Sequence, residues 1–231
     1  LAVSSEAACF ALNALSFLAI MFVLRGLETT ATPHSAAAFG EAMQEGASFV
    51  RSSFPVRQLL LQVALLNFLA ANYIPLMPAF AHDVFHGGPE TLGLLLGCAG
   101  AGALLASLTL AVRPSVRGLS GSITFGNLLA GVALLAFALA GNLWLACPML
   151  FLLGFGLING NASSNTILQT ILPETLRGRV LAIYSAANLG AAALGSLVSG
   201  ALAEWLGPGR TLLWLALILI VVALYFRLRL E

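Results

Sequence analysis

All nineteen charged side chains, ten Arg and nine Asp or Glu, fall outside seven long apolar runs: Ala7–Leu24, Leu59–Phe80, Thr91–Val112, Ser122–Ala140, Trp144–Leu168, Val180–Ala203 and Thr211–Phe226. A bilayer core about 30 Å thick is crossed by roughly 20 helical residues, and a charge at its centre costs about 2.5–3.5 kcal/mol even on a mild insertion scale. The shortest run gains length from Arg210 and Arg227, whose stems can reach toward the two interfaces. The pattern predicts an all-α membrane protein with seven transmembrane helices. Composition agrees, since 60% hydrophobic and 8% charged residues leave too little polar surface for a domain in water.

Threading the runs alternately puts Arg25, Arg51, Arg57, Arg113, Arg117, Arg177, Arg179, Arg227 and Arg229 on one side and Arg210 alone on the other. The positive-inside rule makes the nine-Arg side cytoplasmic, with Leu1 outside and the C-terminus inside. Turns such as Gly141–Asn142–Leu143 make helical hairpins, whereas the stretch from Arg25 to Gln58 is long enough to be a linker. Three parts follow: 1–25 as the last helix of one half, 26–58 as a cytoplasmic linker, and 59–231 as a six-helix half. Within the linker Phe39, Ala42, Met43, Gly46, Phe49 and Val50 recur at helical spacing, with Glu41, Gln44, Glu45, Arg51 and Ser52 mostly between them. A short amphipathic helix is expected there, either a strut coupling two halves or a surface tether.

Several function classes drop out. A net charge of +1 supplies no basic field for nucleic acid. The chain contains no lysine, which removes Schiff-base chemistry and retinal linkage. Cys9, Cys98 and Cys147 are far apart along the chain, form no CxxC pair, and read as small apolar fillers. His82, Asp83 and His86 lack a third strong ligand and read as polar loop residues, so no metal is expected. Gly154, Gly156 and Gly160 follow no strand and make no dinucleotide turn, and the sequon Asn161–Ala162–Ser163 lies inside a span and should carry no sugar. No GxSxG, P-loop, intramembrane carboxylate or intramembrane histidine is present, so neither an enzyme nor a cofactor is expected.

The polar residues that do enter the spans form a pattern. At 1.5 Å per residue from the cytoplasmic end of each run, Asn67 lies about 12 Å deep, Asn161 about 10 Å and Asn188 about 12 Å. An amide facing lipid costs several kcal/mol, so all three should face protein or a wet cavity. They are expected to line a substrate path, with Asn165 and Gln169 continuing it toward the cytoplasm. Pro75 and Pro78 in NYIPLMP should kink the second run near its outer end, where Tyr73 is a gate candidate and Asn72 and Tyr73 are expected on the substrate path. Small residues recur every fourth position at Ala187, Ala191, Gly195, Ser199 and Ala203, and again at Gly93, Gly97 and Ala101. Both stripes permit close helix packing and are expected to dock against helices of another half.

The segment from Leu157 to Tyr184, LINGNASSNTILQTILPETLRGRVLAIY, resembles a loop region of major facilitator exporters, particularly the macrolide-efflux and enterobactin-exporter-like branch. The match centres on Pro173, Glu174, Arg177, Gly178 and Arg179. Cys9–Leu24 and Glu45–Arg57 are similar to the sixth helix and central loop of that branch, while Arg113–Gly121 (RPSVRGLSG) departs from its Gly/Asp/Arg loop motif. The resemblance implies helices six to twelve of a major facilitator fold, with five helices upstream of Leu1 in a bacterial inner-membrane protein. It also implies secondary active efflux of small amphipathic molecules, a drug, macrolide or siderophore, by alternating access. The RGR stretch then reads as a conformational latch or as a topology anchor, with Pro173 ending one helix, Gly178 allowing a sharp turn and Glu174 pairing an arginine. The competing readings are a seven-helix receptor-like protein, whose signalling motifs are not seen, and a non-catalytic membrane scaffold. The expected partners are the small-molecule substrate, the lipid bilayer and an N-terminal half.

Overall fold

A computed structural model describes residues 6–25, 36–70, 72–113 and 118–230, and in those residues the chain is helical, without a strand. The helices are α1 (Glu6–Arg25), α2 (Ala36–Ser52), α3 (Phe54–Ala70), α4 (Tyr73–Ala79), α5 (Pro89–Ala111), α6 (Leu119–Ala138), α7 (Leu143–Ile171), α8 (Glu174–Leu206) and α9 (Pro208–Leu230). Six stretches are long and apolar enough to cross a membrane: Phe54–Val84, Pro89–Ala111, Leu119–Ala138, Leu143–Ile171, Glu174–Leu206 and Pro208–Leu228. In α1, which covers the first expected run, the apolar stretch found among the described residues is Asn13–Phe22, so those residues carry six spans.

Proline chemistry explains the composite first span. Pro75 has no N–H to donate one turn back, and a proline ring crowds the turn before it. Accordingly α3 ends at Ala70 and α4 restarts at Tyr73 after Asn72, upstream of the prolines themselves. Pro78 sits inside α4, which runs on into a π-helical turn at Phe80–Val84. The π turn carries His82 and Asp83 beyond the expected end of the span, with His82 Nδ1 2.7 Å from Asp83 Oδ1.

The spans are held together by missing side chains as much as by large ones. A Cβ on Gly102 of α5 would overlap the Phe151 carbonyl of α7, and one on Gly154 would overlap the Ala99 carbonyl. Gly126 of α6 would place a Cβ 2.7 Å from the Gly156 carbonyl of α7. In lipid, where burying apolar surface from water drives nothing, this close backbone approach is what holds helices together. Of the two stripes read from the sequence, the one on α8 is turned into this chain: Gly195 packs against the Phe68 carbonyl and Asn72, and Ser199 is fully buried. That corrects its expected docking against a different half; Gly93 and Gly97 on α5 have no neighbour within 4 Å of a Cβ.

Two apolar clusters lie at different levels. The larger joins α3 to α7 and α9, with the Phe80 and Phe137 rings tilted at 43° and their centroids 4.9 Å apart. The smaller gathers Val56, Leu60, Val63, Leu168, Leu172, Val180 and Tyr184, with Phe49 and Val50 of α2 packed against it. The amphipathic linker helix is thus seated by the face its sequence pattern marked, Gly46 being buried against Arg179 and Ile183 of α8. Only Ser53 separates α2 from α3, which starts at Phe54.

Candidate functional site

Three helices bring three amides to one point. Asn161 of α7 accepts at Oδ1 from Asn67 Nδ2 of α3 at 3.1 Å and from Asn188 Nδ2 of α8 at 3.4 Å. Its own Nδ2 donates to the Leu157 carbonyl at 3.2 Å, and its backbone carbonyl accepts the Tyr184 hydroxyl at 3.1 Å. Asn67 Nδ2 also donates to the Val63 carbonyl at 2.9 Å. Asn161 is therefore the hub, and the shared depth read from the sequence becomes shared bonding.

Beside the hub lies a cavity of about 360 Å³, walled by Asn67, Tyr73 and Ile74 from the first span, Leu96, Ala99, Gly100 and Ala103 from α5, and Gly154, Leu157, Ile158 and Asn161 from α7. Tyr73 is buried there, at the first residue of α4 after Asn72. Apolar walls with a few amides suit a mainly apolar molecule that carries hydrogen-bonding groups.

The remaining candidates separate. Asn72 turns toward α8: it donates to the Phe68 carbonyl, lies against Gly195, and has Ser196 Oγ 3.5 Å from its Oδ1, so it is not a wall of the cavity. Asn165 and Gln169 bond each other at 2.8 Å one turn apart, away from the hub. Pro173 caps α8 after α7 ends, as expected of a helix stop. Gly178 is helical, so the sharp turn expected at it falls instead at Leu172 and Pro173, where the backbone is extended. Glu174 is exposed in the first turn of α8, and the acid paired with Arg179 is Glu45 of α2. Within RPSVRGLSG, 114–117 lie outside the described residues; Arg113 donates to Ser122 Oγ at 2.6 Å and Gly118 adopts a left-handed φ of 77°.

Sequence reasoning passed over Tyr184, Glu45 and a second set of amides. Asn159, two residues before Asn161, points to the opposite face of α7 and donates to the Ser122 carbonyl of α6 at 2.9 Å, while Asn127 is buried against Gly160. The 200° turn between positions two apart on a helix was the available signal for that division.

A family model described as transmembrane secretion effector, one of the major facilitator families, matches residues 1–231. The chain belongs to this family. As a major facilitator protein it is a multi-pass membrane protein of transport, and families of this kind are generally not enzymes. No curated protein matches the chain.

Proposed function

We propose that this major facilitator protein exports small, neutral or weakly charged amphipathic molecules by secondary active transport, and that its substrates pass the Asn67–Asn161–Asn188 layer. The observation that carries the reading is the convergence of three spans on the Asn161 oxygen beside a cavity walled by Tyr73. Amides without a neighbouring charge recognise hydroxyl and carbonyl groups without demanding a counter-ion. Asn165 and Gln169 form the cytoplasmic continuation of the path, Asn72 fixes the broken helix against α8, and Tyr73 gates the outer end.

The same reading puts the arginine-rich ends and α2 in the cytoplasm of a bacterial cell and treats 26–58 as the link between two transporting halves. Pro173, Glu174, Arg177, Gly178 and Arg179 then form a latch whose partner is Glu45, breaking and re-forming as the spans rock. Drugs, macrolides and siderophores are the substrate classes to try first. The test is transport of a panel of amphipathic dyes and macrolides into inverted vesicles containing the wild-type protein or Asn161→Ala. An altered substrate affinity or range, with equal protein in the membrane, supports the path; unchanged transport by Asn161→Ala, Asn67→Ala and Asn188→Ala rejects it.

A further inference from the structure

Cys98 and Cys147 are 49 positions apart in sequence, yet they line the same cavity. One comes from α5 and the other from α7, the two helices locked by the Gly102 and Gly154 notches. Both sulfurs are free and line a single cavity of about 730 Å³ with Leu94, Leu143, Trp144, Pro148 and Phe151. Among the described residues no third His, Cys, Asp or Glu joins them.

Two thiols fall short of the four ligands of a structural zinc centre. They suit a soft cation that is satisfied by two sulfurs. The apolar walls decide its charge: two thiolates and a dication make a neutral unit, whereas a monovalent cation would leave a net negative charge against apolar side chains. We infer that Cys98 and Cys147 form a capture site for one thiophilic, two-coordinate divalent cation, chemically typified by Hg(II). On capture two S–H bonds break, two sulfur–metal bonds form and two protons leave to water, with no change of oxidation state. The bridge would tie together α5 and α7, which also wall the amide cavity.

The experiment uses the purified, pre-reduced protein carrying Cys9→Ser, titrated with mercuric chloride against a competing monothiol. The expected result is one Hg(II) per chain, release of two protons, simultaneous loss of both thiols to a maleimide, and two sulfur ligands by X-ray absorption. Adding Cys98→Ser or Cys147→Ser should weaken binding on the order of 100-fold, the gain expected when two sites act together. Binding of two Hg(II) at independent thiols, one sulfur per metal, or retention of full affinity in either single variant would overturn the inference. The sulfur count needs no cysteine variant beyond Cys9→Ser, so it decides the question even where a serine disturbs packing.

Discussion

Asn159 and Asn161 differ by two positions and have opposite consequences. Asn159 staples α7 to α6 through the Ser122 carbonyl, away from the cavity, whereas Asn161 faces it and holds two other amides. Interhelical hydrogen bonds in a membrane protein average about 0.6 kcal/mol, and the Ser122 carbonyl lies within α6, so Asn159→Ala should lower stability by about 0.6 kcal/mol. Thermal unfolding in detergent checks this, and the substrate range should be unchanged. Asn188→Ala, which removes one long bond of 3.4 Å, should shift unfolding less than Asn159→Ala and still change substrate affinity. The depth of the three amides was legible in the sequence because helix rise is fixed. Which way each amide turned was not, since Asn72, in the same span as Asn67, faces α8 instead.

Between helices, the decisive contacts are backbone to backbone. Gly102→Ala or Gly154→Ala forces a methyl into a facing carbonyl and should destabilise the α5–α7 pair by about 1–3 kcal/mol. Gly97→Ala meets nothing within 4 Å and should stay within about 0.5 kcal/mol of wild type. Thermal unfolding of the three variants ranks them; equal effects would remove the notches from the account. The stripes at every fourth residue could be read directly, but their partners could not, because spacing marks a smooth face without saying what covers it. The seat of α2 was legible through its apolar face, whereas the Glu45–Arg179 pair was not, since it joins residues 134 apart. Glu45 and Arg179 are partly exposed, and such pairs are worth about 0–1 kcal/mol, so Glu45→Gln should barely move unfolding. The latch reading requires it to alter the transport rate all the same, with Glu45→Arg combined with Arg179→Glu restoring part of it; a wild-type rate in Glu45→Gln would leave α2 a tether.

Across the whole molecule, charge exclusion from the apolar runs made the membrane class and most of the spans readable. The boundaries moved because helices continue past the bilayer: α8 has 33 residues and runs about 50 Å, well beyond a core about 30 Å thick. The composite first span was harder, since the helix restarts at Tyr73, upstream of Pro75 and Pro78 rather than at either proline. The central claim is that a transported molecule occupies the cavity beside Asn161, and cysteine protection tests it most directly. In a protein with all three native cysteines replaced, Ile158→Cys places a thiol in the cavity wall, and Val221→Cys places one on an exposed position of α9. The account predicts that a transported substrate at saturating concentration slows maleimide labelling at position 158 by on the order of ten-fold, as RT ln(1 + [L]/Kd) implies for ten-fold excess over Kd, and leaves position 221 unchanged. Equal labelling at position 158 with and without substrate, in a variant that still transports, would contradict it.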